Sequence, residues 1–154
     1  MDEDVVVKAV KDAFVAAYHE MHEHYREQVR GLDHGTLNWS PLPKANSIAV
    51  LVTHAITSER EMIHGVRNEV IPRDRDAEFR AEAESEQLLA LIDAADREID
   101  ELVPAIVGGD LTDLRPRGSF PPQPGIYWLV TNYGHAREHL AQIQLTKQLY
   151  DSRT

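Results

Sequence analysis

Residues 125–150 read GIYWLVTNYGHAREHLAQIQLTKQLY, and the fold turns on this stretch. Leu129, Tyr133, Ala136, Leu140 and Ile143 recur at alternating spacings of four and three, which puts them on one face of an α-helix. At 3.6 residues per turn the segment makes roughly seven turns. A helix this long with a single apolar seam must lay that seam against other helices. Pro121, Pro122 and Pro124 form an irregular approach that hands over to the helix at about Gly125.

The same period recurs upstream. Val6, Val10, Phe14, Met21, Tyr25 and Val29 mark a first helix from about Glu3 to Arg30, ended by Gly31. Residues 32–46 carry Gly35, Pro41 and Pro43 among Leu37, Trp39 and Leu42, so they read as an irregular connection pinned to the core. Asn46 or Ser47 caps a second helix running to about Asn68, with Ile48, Leu51, Ala55, Met62 and Val66 on one face. Pro72 breaks the chain within the polar stretch from Arg67 to Asp76. A third helix begins with Ser85 as its cap and buries Leu88, Ile92, Ala95, Ile99 and Leu102; Pro104, Gly108 and Gly109 bound its end. Four helices and no convincing strand predict an all-α protein, a four-helix bundle forming a single domain over residues 1–154.

Composition narrows the partners. A net charge of −10 repels phosphate backbones and anionic headgroups, so nucleic acid and membrane are poor partners. No apolar run approaches the ~20 residues needed to span a bilayer, and the start of the chain lacks a signal-peptide pattern; a cytoplasmic location is expected. The 154 residues include no cysteine. Disulfides and thiolate metal sites are thereby excluded, and any thiol in the chemistry must arrive on a substrate or cofactor.

The chemistry-bearing residues are histidines. His135 and His139 lie one turn apart on the last helix, where their rings can converge on one ion. Both fall at the edge of the buried arc, and His54 holds the corresponding edge of the second helix. Three neutral imidazoles suit a divalent metal such as zinc or nickel and leave a coordination position open. The bland alternative is three hydrogen-bonded polar residues at the rim of a core.

Other clusters point elsewhere. His24 projects about 140° from His19 and 160° from His22, so those three cannot share an ion, and they read as solvated surface. Glu61 and His64 match half of a di-iron motif but lie outside the apolar arc, and a zincin motif fails because Ala136 follows His135. Glu59 falls inside the apolar arc, where an unpaired carboxylate is costly. It calls for a buried Arg, Trp or Tyr, or for a catalytic acid/base or metal-supporting role. Asn132, Ser58 and Gln142 are placed to orient the ring nitrogens that face away from a metal.

The segments Asn46-Ser-Ile-Ala-Val-Leu-Val-Thr-His54, Arg73-Asp-Arg-Asp-Ala-Glu-Phe79 and His135-x-x-x-His139-Leu-x-x-x-Gln144-Leu-Thr-Lys-Gln-Leu149 together resemble the DinB-like superfamily, which includes bacillithiol and mycothiol S-transferases. The resemblance spans nearly the whole chain. It implies an up-down-down-up bundle, with His54, His135 and His139 as the metal ligands and Glu59 as the core-facing glutamate. Gly134 stands where many relatives carry an acidic residue. The expectations that follow are a metal-dependent transferase joining a low-molecular-weight thiol to an electrophilic small molecule, a small-molecule hydrolase or isomerase using metal-activated hydroxide, or a non-enzymatic bundle braced by an ion. A homodimer, common among relatives, is compatible with this length.

Overall fold

The computed structural model describes residues 3–153. Its elements are α1 (Glu3–Val29), α2 (His34–Asn38), α3 (Ile48–Val66), α4 (Arg75–Glu78), α5 (Ser85–Leu102), α6 (Gly108–Thr112), β1 (Leu114–Arg117), β2 (Phe120–Pro124) and α7 (Gly125–Asp151). The four long helices are those the apolar period predicts. Among the described residues no helix is long and apolar enough to cross a membrane.

Their directions follow from who packs with whom. Val10, Phe14 and Tyr18 in the first part of α1 meet Met62 and Val66 at the end of α3, Ile99 and Leu102 at the end of α5, and Trp128 and Leu129 at the start of α7. Met21, Tyr25 and Val29 further along α1 meet the early residues of α3 and α5 and the later Ala136, Leu140 and Ile143 of α7. So α1 and α7 run one way and α3 and α5 the other, which is the up-down-down-up order. Two tyrosines of α1 rivet α7 from within: Tyr25 Oη donates to the Ala136 carbonyl at 2.7 Å and Tyr18 Oη to the Leu129 carbonyl at 3.3 Å.

Local chemistry sets the helix ends. Gly31, at φ +72°, ends α1 by taking a left-handed conformation that is costly for other residues. Ser47 Oγ caps α3 by accepting from the Val50 N–H at 3.2 Å. The cap of α5 is Glu84 rather than Ser85, and Gln87 Oε1 accepts from the Glu84 N–H at 2.8 Å. Ser85 has a longer-range task. Its hydroxyl donates to the Val29 carbonyl and accepts from the Gly31 N–H, tying the start of α5 to the end of α1.

Two expectations need correction. The Pro-rich approach to α7 is one arm of an antiparallel hairpin, β1 paired with β2, with an irregularity between Arg115 and Arg117 around Pro116. Prolines hide such strands from a sequence reading because they remove ladder donors, but a two-stranded hairpin tolerates them at its free edges. Side-chain anchors compensate: Trp128 Nε1 donates to the Arg115 carbonyl, and Arg115 Nε donates to the Val66 carbonyl, both at 2.8 Å. Gly125 seals the junction, since a Cβ there would lie 1.9 Å from the Asp110 carbonyl oxygen.

The second correction concerns His22, which is completely buried rather than solvated. Relative to His22, Tyr18 and Val29 fall within about 40° on the helical wheel, so the ring lies inside the buried arc of α1. Its Nε2 meets Glu59 Oε2 at 3.0 Å and its Nδ1 meets Asp96 Oδ1 at 2.6 Å. The buried partner of Glu59 is therefore a histidine, not an Arg, Trp or Tyr. Asp96 is held in turn by Arg26 and by His19, whose Nδ1 lies 2.9 Å away. Of the three clustered histidines, His19 and His24 match the surface reading, beside Asp100 and Glu27 respectively, and only His22 departs from it.

Burial opposes the charge on His22, but the flanking Asp96 and Glu59 carboxylates outweigh it and raise its pKa to about 9. Burial pushes the Glu59 carboxyl up, with His22 opposing. The pair thus keeps its proton across neutral pH. Because the folded pKa of His22 lies above the unfolded value of about 6.5, its contribution to stability is complete below that pH and is lost as the pH rises through about 9. His22→Ala should cost about 3–5 kcal/mol in denaturant unfolding at pH 7, by stranding Glu59 in the core, and the additional change Glu59→Gln should recover part of the loss. A His22→Ala protein as stable as wild type would show that the link is not structural.

Candidate metal centre

The bundle order brings α3 and α7 together as antiparallel neighbours, and the three predicted histidines meet across that seam. His54 is buried on α3; His135 and His139 are half-buried on α7. His54 Nε2 lies 3.3 Å from His135 Nε2, which lies 2.9 Å from His139 Nε2. One ligand atom from each ring falls within 4.8 Å of those of the other two, so the three residues could hold a metal ion.

The opposite edges of the rings explain why this fits a cation better than a self-contained hydrogen-bond cluster. His54 Nδ1 lies 3.0 Å from Glu78 Oε2, and His139 Nδ1 lies 2.8 Å from Gln142 Oε1. Both oxygens are acceptors, so each Nδ1 carries the proton and each Nε2 presents a lone pair. Three imidazole nitrogens therefore crowd together with at most one proton to share, and a shared cation relieves that repulsion. Burial, aided by neighbouring His139, His54 and Arg117, lowers the pKa of His135 to about 4, and burial also lowers that of His54. His135 is accordingly neutral at pH 7, ready to ligate without releasing a proton.

Glu78, which sequence reasoning missed, is the best-supported partner of the site. Burial alone would raise its pKa, but hydrogen bonds from Arg73 and His54 hold it down to about 2. Arg73 Nε and Nη2 grip its two oxygens at 2.7 and 2.9 Å, while Arg73 Nη1 reaches Glu61 at 2.6 Å. The short helix α4 delivers Glu78, with Asp74 capping it through the Ala77 N–H. Phe79 follows directly and packs its ring 4.9 Å from that of His54. The Arg73–Phe79 segment carries the family resemblance, and that was the available signal for Glu78; helical periodicity cannot place a residue in a loop.

The remaining predicted residues divide. Gln142 orients His139 as expected, whereas Asn132 Nδ2 donates to Ser58 Oγ at 3.3 Å and neither contacts a histidine nitrogen. Glu59, offered by the sequence as a catalytic candidate, points to His22 and does not line the cleft beside His54 and His135. Its Oε1 has no hydrogen-bond partner among the described residues.

That cleft has a volume of about 520 Å³ and opens between α3, the loop before α4, the hairpin and α7. His54 and His135 line it from α3 and α7, together with Arg117 and Phe120 of the hairpin and Tyr127 and Trp128 at the start of α7. A coordination position left open by three protein ligands would be reachable by a small molecule from here.

Glu78→Gln should weaken zinc binding about 10- to 100-fold by removing the charge that fixes the His54 tautomer, measured by competition against a chromophoric chelator. Unchanged affinity would show that Glu78 serves the fold alone.

The comparisons agree with this architecture. The DinB superfamily profile matches residues 14–143. The fold superposes on a crystal structure of a conserved protein from Enterococcus faecalis with a TM-score of 0.77 at 17% identity, covering 94% of this chain and 98% of that one. A DinB-like protein from Bacillus cereus gives a TM-score of 0.73 at 14% identity over 89% of this chain and 90% of its own. No curated protein matches the sequence. With its family profile, bundle order and three converging histidines in accord, the chain belongs to the DinB superfamily.

Proposed function

We propose that the protein is a metal-dependent transferase that joins a low-molecular-weight thiol to an electrophilic small molecule, using zinc or nickel at His54, His135 and His139. The observation that carries this reading is the set of three imidazole nitrogens, two of them with their protons pinned on the far side, beside an open cleft lined by His54 and His135. A divalent ion there supplies a Lewis acid that favours the thiolate over the thiol at neutral pH. The absence of cysteine fits a sulfur nucleophile that belongs to a cosubstrate.

The chain's own residues have distinct tasks in this scheme. His54, His135 and His139 supply ligand nitrogens without a net charge, so a bound dication keeps its full attraction for an incoming anion. Glu78 accepts a hydrogen bond from His54 Nδ1–H and raises the basicity of Nε2, and Arg73 keeps that carboxylate ionised and in place. Trp128, Tyr127 and Phe120 shield one wall of the cleft and offer an apolar surface to the electrophile.

Protein prepared without a histidine tag should bind about one zinc per chain, and His135→Ala should lose the metal while keeping the helical circular-dichroism signal. Zinc-loaded wild type should accelerate conjugation of a small thiol to 1-chloro-2,4-dinitrobenzene, with at least a hundredfold loss in His135→Ala. Metal binding without conjugation across a panel of thiols and electrophiles, together with ester cleavage that needs no thiol, would replace this reading by hydrolysis.

A further inference from the structure

The charge of the cleft runs against the charge of the chain. The protein carries a net −10, yet Arg73, Arg75 and Arg117 all line the cleft and, among the described residues, Glu61 is the sole carboxylate that does. Arg73 is spent on Glu78 and Glu61. Arg75 is exposed, and its guanidinium makes no hydrogen bond or ion pair among the described residues.

Arg117 stands between these cases. It reaches Ser58 Oγ at 3.3 Å, the Met62 sulfur at 4.0 Å and Glu61 at 3.8 Å, and the last of these is already engaged by Arg73 at 2.6 Å. Its guanidinium lies 5.7 Å from the centre of the Trp128 ring, and its side chain is only 30% exposed. A half-buried guanidinium with one weak hydroxyl contact, one distant shared carboxylate and an aromatic face is a cation with unused donors.

Proposing, as above, that the cleft is the substrate site, we infer that one of the two reactants carries a carboxylate and that Arg117 receives it, with Arg75 adding to the attraction at the mouth. Arginine matches a carboxylate through two parallel N–H···O bonds, which sets orientation as well as affinity. The aromatic side chains of the hairpin wall and α7 suit an apolar body beside that anion, since Phe120 and Tyr127 remain largely exposed. The arrangement selects among electrophiles or thiols by charge at Arg117 and by the reacting atom at the histidines. A neutral analogue of the same shape leaves Arg117 desolvated and unpaired, which is where the discrimination arises.

The test uses benzoate and its neutral isostere benzamide, titrated calorimetrically against zinc-loaded and metal-free protein. Benzoate should bind both forms, more tightly at low salt, and benzamide at least tenfold more weakly. Arg117→Met should weaken benzoate at least tenfold with zinc content unchanged, and Arg117→Lys should fall between. Equal binding of the two probes by wild type, which needs no variant, would overturn the inference. So would benzoate binding that disappears with the zinc and ignores Arg117→Met, because the carboxylate would then sit on the metal alone. Steady-state kinetics separate this from the transferase reading. If conjugation occurs, Arg117→Met should raise KM for a carboxylate-bearing electrophile or for mercaptoacetate, but not for the methyl ester or mercaptoethanol. If conjugation is absent while benzoate still binds through Arg117, the transferase reading fails and the anion site stands.

Discussion

A helix buried on nearly every side must satisfy each polar group it carries, and α3 is that helix. It is packed by α5 and α7, flanked by α2, α4 and β1, and reached from α1 by His22, yet it includes His54, Ser58 and Glu59 among its buried residues. His54 and Glu59 lie about 140° apart around the axis, so they face different neighbours. Glu59 turns to α1 and closes an ionic chain through His22 to Asp96. His54 turns to α7 and α4, and meets two histidines and a glutamate. The bundle thus solves one desolvation problem twice, once as an internal brace and once as a cation-sized opening at the rim.

These two solutions differ in how completely they are closed. The His22 link has both ring nitrogens engaged by carboxylates, which leaves nothing for a ligand. The His54 group has the far nitrogens of His54 and His139 engaged and its three near nitrogens facing one another, next to a cleft. The difference lies in the kind of partner available: a neighbouring carboxylate neutralises an imidazolium, whereas neighbouring imidazoles create a demand for a cation. Since α3 supplies both, the brace helps fix the helix on which His54 rides.

The sequence reading recovers whatever depends on periodicity. The four long helices, the edge positions of His54, His135 and His139 and the partnership of His139 with Gln142 all follow from spacing along single helices. What escapes depends on chain segments that periodicity does not describe. Glu78 approaches His54 from a four-residue helix behind Pro72, and the hairpin is written in prolines and arginines that read as coil. His22 is a different case: its wheel position beside Tyr18 and Val29 places it in the buried arc, but the inability of His19, His22 and His24 to share an ion says nothing about whether one of them is buried. Buried polar pairs are legible only when both partners are considered together, and Glu59 was asking for one.

The hairpin's composition also bears on how the molecule behaves in a crowd. Three of the five residues of β2 are prolines, so its backbone offers few N–H donors to a passing strand. An exposed two-stranded ribbon with Phe120 near its tip would otherwise be a template for strand addition and aggregation. The imino acids that conceal this ribbon in the sequence also make it a poor seed, so the protein can hold an aromatic wall out in water without inviting self-association through its backbone.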